Sequence, residues 1–407
     1  MQRVSLMFLT LLALYACNSV TAQPLATGTV IAPEVIQESA TINVQPEITV
    51  MPLLSRDNAI SHIALLLPMQ STSFGTAAAA VQMGFKAAAS LDPHALPVQT
   101  YGKFDESSDV VAAYQEAVAN GAQAVVGPLT RNGVTTLAQM QDFPVPTLSL
   151  NIPVLPAHGN LYYFGMAIEA EARQVAVLAR SQERQQAIVI SSNDVLSQRL
   201  QYAFEDQWKA LGGSLLREII FSGDTSVFAE LAAAPDNMVF FATNAEKSRT
   251  IRPFLPANLT AYGTSQLFVS NTNTLLNFDL EGVQFVDMPW LLQPDQAVVT
   301  AYPHASPPLS IDLERMYALG VDAYRLVKIL IDQQLQTALP LDGVTGRISL
   351  SEHTFNREAV PAFFVQGHVQ AADAVKTQAE PMFPVQHDST SPGAADAAIS
   401  APLQVKP

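Results

Sequence analysis

The chain has 407 residues, which at roughly 150 residues per domain is enough for two to three domains. With 36 acidic against 21 basic residues its net charge is −15, a balance that repels phosphate backbones and argues against a nucleic-acid partner. The apolar fraction is 49%, yet past the N-terminus no apolar run approaches the about 20 residues that a membrane-spanning helix needs.

Met1 to Ala22 reads as an export signal, with Arg3 as the basic start and Val4 to Ala16 as a short apolar stretch. Two processing sites compete. Leu14-Tyr15-Ala16-Cys17 resembles a bacterial lipobox, apart from Tyr15, where a small or β-branched residue is usual. Val20-Thr21-Ala22 instead fits the small-x-small rule of ordinary secretory cleavage, which would leave a soluble periplasmic protein. Cys17 is the only cysteine, so it has no internal disulfide partner, and its position favours lipidation. Asn18, a residue other than Asp, resembles the sorting signal of outer-membrane lipoproteins.

Residues 23–58 are rich in Pro, Thr, Val and Gln without a sustained period and read as an extended tether. Residues 371–407 have little to bury and read as a disordered tail. Between them strands and helices alternate. Strands are expected at Ile63 to Leu67, Val98 to Tyr101, Ala124 to Val126 and Val145 to Leu150. Helices are expected from Phe74 to Leu91, from Ser107 to Asn120 and from Thr130. Short, continuously apolar strands point to a parallel sheet covered on both faces.

A second series follows Tyr162-Tyr163-Phe164. Helices are expected at Ile168 to Glu183, Asp194 to Leu211, Val227 to Ala234 and Ala245 to Phe254. Strands are expected at Ala187 to Ser191, Leu215 to Phe221, Met238 to Ala242 and Leu259 to Tyr262. The fold class is therefore α/β, with two lobes, each a doubly wound and mostly parallel sheet. Residues 59–160 form the first part of lobe 1 and 161–282 the first part of lobe 2. Val283 to Val286 and a long helix from Ile311 to about Gln336 return to lobe 1 within 283–340, and the final strands of 341–370 are assigned to lobe 2.

Catalytic signatures are missing. The sole cysteine lies outside the folded part, no G-x-S-x-G elbow is met, and no lysine has Ser three positions before it. There is no phosphate-binding G-x-x-x-x-G-K. The seven histidines have no metal-ligand spacing, and His62 and His353 read as surface or loop residues. Neither a metal nor a cofactor is expected. Glu169 and Glu171 read as solvated carboxylates favoured by a helix N-terminus.

Ligands of open α/β sheets bind beyond the carboxyl ends of the strands. The polar residues placed there are Ser71, Ser73, Thr130, Ser149 and Asn151 in the first lobe, and Asn193, Asn244 and Thr264 in the second. Gathered across an interlobe cleft they would suit a small carboxylate or amide, although each type is also an ordinary helix cap.

Ile63-Ala-Leu-Leu-Leu-Pro68, Gly84-Phe-Lys-Ala-Ala88, Ala124-Val-Val-Gly-Pro-Leu129 and Val145-Pro-Thr-Leu-Ser149 resemble the first lobe of type 1 periplasmic binding proteins. More narrowly, Arg315-Met-Tyr-Ala-Leu-Gly-Val-Asp-Ala-Tyr-Arg325 with Gly343-Val-Thr-Gly-Arg-Ile-Ser-Leu350 resembles the LpoA-type penicillin-binding protein activators. The resemblance implies a non-enzymatic outer-membrane lipoprotein that stimulates a class A penicillin-binding protein in peptidoglycan synthesis. Long members carry an N-terminal helical-repeat domain where this chain has only the tether 23–58. The alternative is the substrate-binding component of an ABC transporter for amino acids or a related small molecule.

Overall fold

The computed structural model describes residues 60–269 and 273–372. The expected signal with Cys17, the tether and all but the first two residues of the expected tail lie outside the described residues. In chain order the first half contains β1 (His62–Leu66), α1 (Gly75–Ser90), β2 (Val98–Tyr101), α2 (Val110–Ala119), β3 (Ala122–Val126), α3 (Arg131–Leu137), β4 (Thr147–Ser149) and β5 (Leu161–Phe164). Next come α4 (Ile168–Ser181), β6 (Gln186–Ser191), α5 (Val195–Ala210), β7 (Ser214–Ile220), β8 (Asn237–Phe241), α6 (Ala245–Ile251), β9 (Thr260–Gly263) and β10 (Gln284–Asp287). The last part holds α7 (Pro289–Leu292), α8 (Ala297–Thr300), α9 (Ile311–Ile331), α10 (Leu335–Ala338), β11 (Leu341–Asp342), β12 (Arg347–Ser351), β13 (Thr354–Glu358), β14 (Val360–Val365) and β15 (His368–Ala371). Among the described residues no helix is long and apolar enough to cross a membrane.

Two sheets result, one per lobe. The first runs β11-β12-β13-β5-β4-β3-β1-β2 and the second β15-β14-β10-β9-β8-β6-β7. The strands that read as continuous apolar runs are central: β1 and β8 are buried along their whole length. Edge strand β7 alternates toward exposure instead. Most pairings are parallel, with antiparallel strands confined to β11–β12–β13 and β10–β14–β15. Each sheet is covered on both faces, as parallel sheets require.

Helices α1 and α9 pack together over one face of the first sheet. Their contact is closer than side chains allow. A Cβ on Gly84 would lie 1.9 Å from the Tyr317 carbonyl oxygen, and one on Gly320 would lie 2.1 Å from that of Val81. Each helix thus presents a glycine to the other's backbone. Phe85 and Tyr324 meet edge to face beside this crossing, 5.3 Å between ring centres, and the Tyr324 hydroxyl donates to Asp92 at 2.6 Å.

Several expectations are corrected. Residues 161–164 form β5 of the first sheet, beside β4 and β13, so the chain enters the second lobe only at α4. The segment 283–286 does not return to the first lobe. It belongs to β10, between β9 and β14, where Phe285 stacks on Phe364 in the second core. The stretch 341–370 is divided, with β11 to β13 in the first sheet and β14 with β15 in the second. The helix expected at Val227 to Ala234 is only a 3-10 turn at Ser226–Phe228, because so short a run before Pro235 cannot offset the cost of helix nucleation. Helix α9 stops at Ile331, and Gln333 turns the chain with φ 54°.

Candidate interlobe cleft

A groove of about 400 Å³ lies between the lobes, where α1, α3 and α9 of the first face α4 and α5 of the second. Its wall mixes apolar side chains, with Phe74, Leu129 and Leu319 opposite Ile168 and Leu196, and the charged Glu106, Arg131 and Arg199. Of the eight polar residues expected there, Thr130 and Asn151 line it. Thr130 caps α3 by accepting from the Gly133 amide at 3.1 Å. Asn151 donates to the Leu129 carbonyl at 3.0 Å and accepts from the Ile152 amide.

The other six do not reach this groove. Ser71 accepts from the Phe74 amide at 3.1 Å, and Ser73 is exposed. Ser149 and Thr264 are fully buried, their hydroxyl oxygens without a hydrogen-bond partner. Asn193 is exposed, and Asn244 caps α6 through the Lys247 amide at 3.0 Å. Two of the eight, Thr130 and Asn244, are occupied in starting helices, the role that competes with ligand binding.

A polar knot sits at the carboxyl end of β6. The Lys247 ammonium is 2.9 Å from both the Ser192 Oγ and an Asp194 oxygen, and Ser192 donates to Asp194 at 2.7 Å. Burial would push the Asp194 carboxyl up. Hydrogen bonds from Lys247, Ser192 and the Ser197 amide outweigh it and hold it at about 2, below the usual carboxylate range. A serine beside a lysine can act as nucleophile and base. Here the ammonium is neutralised by a carboxylate, so the pair is an ion pair that caps α5.

The charged groups that span the lobes were not anticipated. Glu169, in the first turn of α4, receives Arg131 from α3 at 3.3 Å and Arg199 from α5 at 2.6 Å on the same oxygen. Burial would raise its carboxyl, but its own backbone amide and the two guanidinium groups lower it overall. Glu171 is not solvated: it is buried and pairs with Arg357 of β13 at 2.5 Å. Arg315, on α9, forks onto Asp287 at the end of β10, its closest approach 2.6 Å. Burial is the largest influence on both groups. It pushes the Asp287 carboxyl up, and it would lower the Arg315 guanidinium were Asp287 not beside it to raise it. Partners separated by 28 to 186 positions leave no local spacing signal, which is why reading the chain missed them.

One of the two histidine expectations changes, while His353 lies partly exposed in a turn as expected. His62 is fully buried, bonded to the Ile60 carbonyl at 2.7 Å and the Tyr101 hydroxyl at 3.0 Å. His353 stacks on Tyr162 and contacts the Leu161 carbonyl at 2.9 Å. Among the described residues no group of three or more His, Cys, Asp or Glu is arranged to hold a metal ion.

The segment Arg315 to Arg325 and its companion Gly343 to Leu350 meet in space. Asp322 is fully buried and accepts from the Val344 and Thr345 amides, the Thr345 hydroxyl and Arg325, at 2.7 to 3.1 Å. One carboxylate on α9 thereby folds the loop that leads into β12.

The family model described as "LppC putative lipoprotein" matches residues 34–229 and 230–360, well over half of the chain. The chain belongs to the LppC family. Relatives of this LppC chain include the penicillin-binding protein activator LpoA of Pantoea ananatis, 26% identical over 322 residues, covering 66% of this chain and 47% of that protein. The LpoA of Photobacterium profundum is 24% identical, over 72% of this chain and 53% of its own length. This LppC chain thus spans about half the length of the relatives it matches. Among solved structures, the LpoA C-domain of Haemophilus influenzae, titled "a regulator of PBP1A", matches with TM-score 0.64 and 24% identity over 76% of this chain and 99% of that one. A "putative branched-chain amino acid ABC transporter" of Chromobacterium violaceum matches with TM-score 0.65 and 36% identity over 75% of this chain and 100% of that one. The two-lobed, mostly parallel architecture is that of the LpoA C-domain and of periplasmic binding proteins.

Proposed function

We propose that this LppC lipoprotein binds and stimulates a class A penicillin-binding protein, anchored to the outer membrane through a lipidated Cys17, and catalyses no reaction itself. The observation that carries this reading is the agreement of the family match with relatives named as penicillin-binding protein activators, over the same folded region. A cleft of mixed apolar and charged lining, into which only two of the eight expected polar residues project, fits a protein that works by docking.

The test adds the purified full-length protein to class A synthases of the same envelope and follows glycan polymerisation and cross-linking on lipid-linked precursor. Stimulation of one synthase by several-fold is expected. No stimulation of any, with no capture of a synthase from envelope extract, overturns the proposal. For the anchor, Cys17→Ser should move the protein from the membrane fraction to the soluble one, and unchanged partitioning would refute lipidation.

A second reading, the solute-binding component of a transporter for a branched-chain amino acid, is favoured by the 36% identity to the Chromobacterium structure. It requires a ligand. A thermal shift of several degrees with one member of an amino-acid panel would support it, since a ligand that binds the native state stabilises by mass action.

A further inference from the structure

Three segments join the lobes: Phe164 to Ile168, Asp287 to Ile311, and Glu358 to Val360. Each has a neighbour in one buried set of charges. The Glu171 and Arg357 side chains are 6% and 5% exposed, and those of Asp287 and Arg315 are 1% and 7% exposed. Glu171 follows the first segment, Asp287 and Arg315 flank the second, and Arg357 precedes the third. Two buried carboxylates face two buried guanidinium groups, and the exposed Asp312 adds a third carboxylate to Arg315 at 2.7 Å.

The remaining hydrogen-bonding capacity is largely filled. The second oxygen of Glu171 accepts from the Ser265 amide at 3.1 Å and its hydroxyl at 2.7 Å. Arg315 also donates to the Ser265 and Phe268 carbonyls, at 3.0 and 2.9 Å. Ser265 therefore touches both ion pairs and joins them. Arg357 donates further to the Thr345 carbonyl at 3.2 Å. Beside them the Gln174 side chain grips Ala359 in both directions, donating to its carbonyl at 2.6 Å and accepting from its amide at 2.9 Å.

We infer that this four-charge network fixes the two lobes in one disposition, so that the fold acts as a rigid frame and does not open and close around a solute. The pairs Glu171–Arg357 and Asp287–Arg315 each join the second lobe to the first, so they oppose any rotation that draws their partners apart. Separating either pair leaves a desolvated charge unpaired, a state far costlier than an unpaired charge in water. Glu169 and its two arginines, by contrast, are 20 to 40% exposed, and such pairs contribute little. The frame is held at its pivot and only trimmed at the cleft. This is independent of which partner the protein serves.

The test measures an interlobe distance by double electron–electron resonance in the full-length Cys17→Ser chain, with spin labels on Gln139→Cys and Asp206→Cys. Both positions are exposed, one in each lobe, and neither belongs to the network. A single narrow distance, unmoved by an amino-acid panel, is expected. Two populations in the unaltered network, or a shift of several ångströms with any amino acid, overturns the inference without need of a pivot variant. Glu171→Gln with Arg357→Gln, checked for folding by circular dichroism, should at least double the width of the distribution. Arg315→Lys, which keeps the charge and loses the fork, serves as the milder variant. Glu169→Gln should leave the width unchanged. Narrow distributions in both pivot variants would show that these charges do not fix the lobes.

Discussion

Replacing Gly320 by Ala separates two opposed effects on one helix. In an unhindered helix interior the change stabilises by about 1 kcal/mol, since Ala loses less conformational freedom than Gly. Here the new methyl would sit 2.1 Å from the Val81 oxygen and 2.8 Å from the Phe85 nitrogen, both backbone atoms that cannot rotate away. Restoring ordinary contact near 3.4 Å means parting α1 and α9 by more than an ångström, at the crossing where Phe85 and Tyr324 pack. Overpacking of this kind costs about 1–3 kcal/mol. The larger figure applies because backbone must move, so the net expectation is destabilisation by about 2 kcal/mol. At about 2–4 °C per kcal/mol for domains of this size, Tm should fall by about 4–8 °C. Gly84→Ala meets the Tyr317 oxygen at 1.9 Å and should cost a similar amount. The double variant should cost less than the sum, because helices already parted for one methyl have room for the other. Calorimetry of the four proteins decides the matter. A Gly320→Ala protein that melts at or above the parent temperature, or strictly additive losses, would refute close backbone approach as the reason for these glycines.

Asp322→Ala removes the acceptor of four hydrogen bonds inside the first lobe and should cost about 3 kcal/mol or more. A urea midpoint within error of the parent's would contradict that role. Asp194 should titrate near 2 by NMR, and Lys247→Met should move it upward toward the usual value of about 3.9. Its folded value is depressed, so its stabilising effect is present above about pH 4 and is lost as pH falls through 2. The side chain is half exposed, and solvent screening keeps that effect below about 1 kcal/mol.

The architecture was legible because parallel strands buried on both faces must be short and apolar, as at β1 and β8. Lobe membership of the later segments was not. Which sheet strands β10 and β13 join depends on Phe285 meeting Phe364 and on Thr354 pairing with Tyr163, contacts remote in sequence. The cleft was half legible. Its place beyond the strand ends followed from topology, and Thr130 and Asn151 do line it. Glu171 was visible as a residue and misread as solvated, because its partner Arg357 is 186 positions away.

The segments that make this chain resemble its family are those that brace the molecule. Arg315 ties α9 to β10, Gly320 admits α1, Asp322 folds the loop into β12, and Tyr324 fastens onto Asp92. A surface that only had to recognise a partner would not require a buried carboxylate satisfied by four donors. It follows that conservation of this motif between two LppC proteins reports a shared frame, whatever each of them docks. Partner choice must then reside in side chains the frame leaves in water, and under the proposed docking function exchanging exposed residues that line the cleft, such as Phe74 and Asn132, should alter synthase selection while leaving Tm unchanged. A swap at those positions that lowers Tm by several degrees would place them in the frame instead.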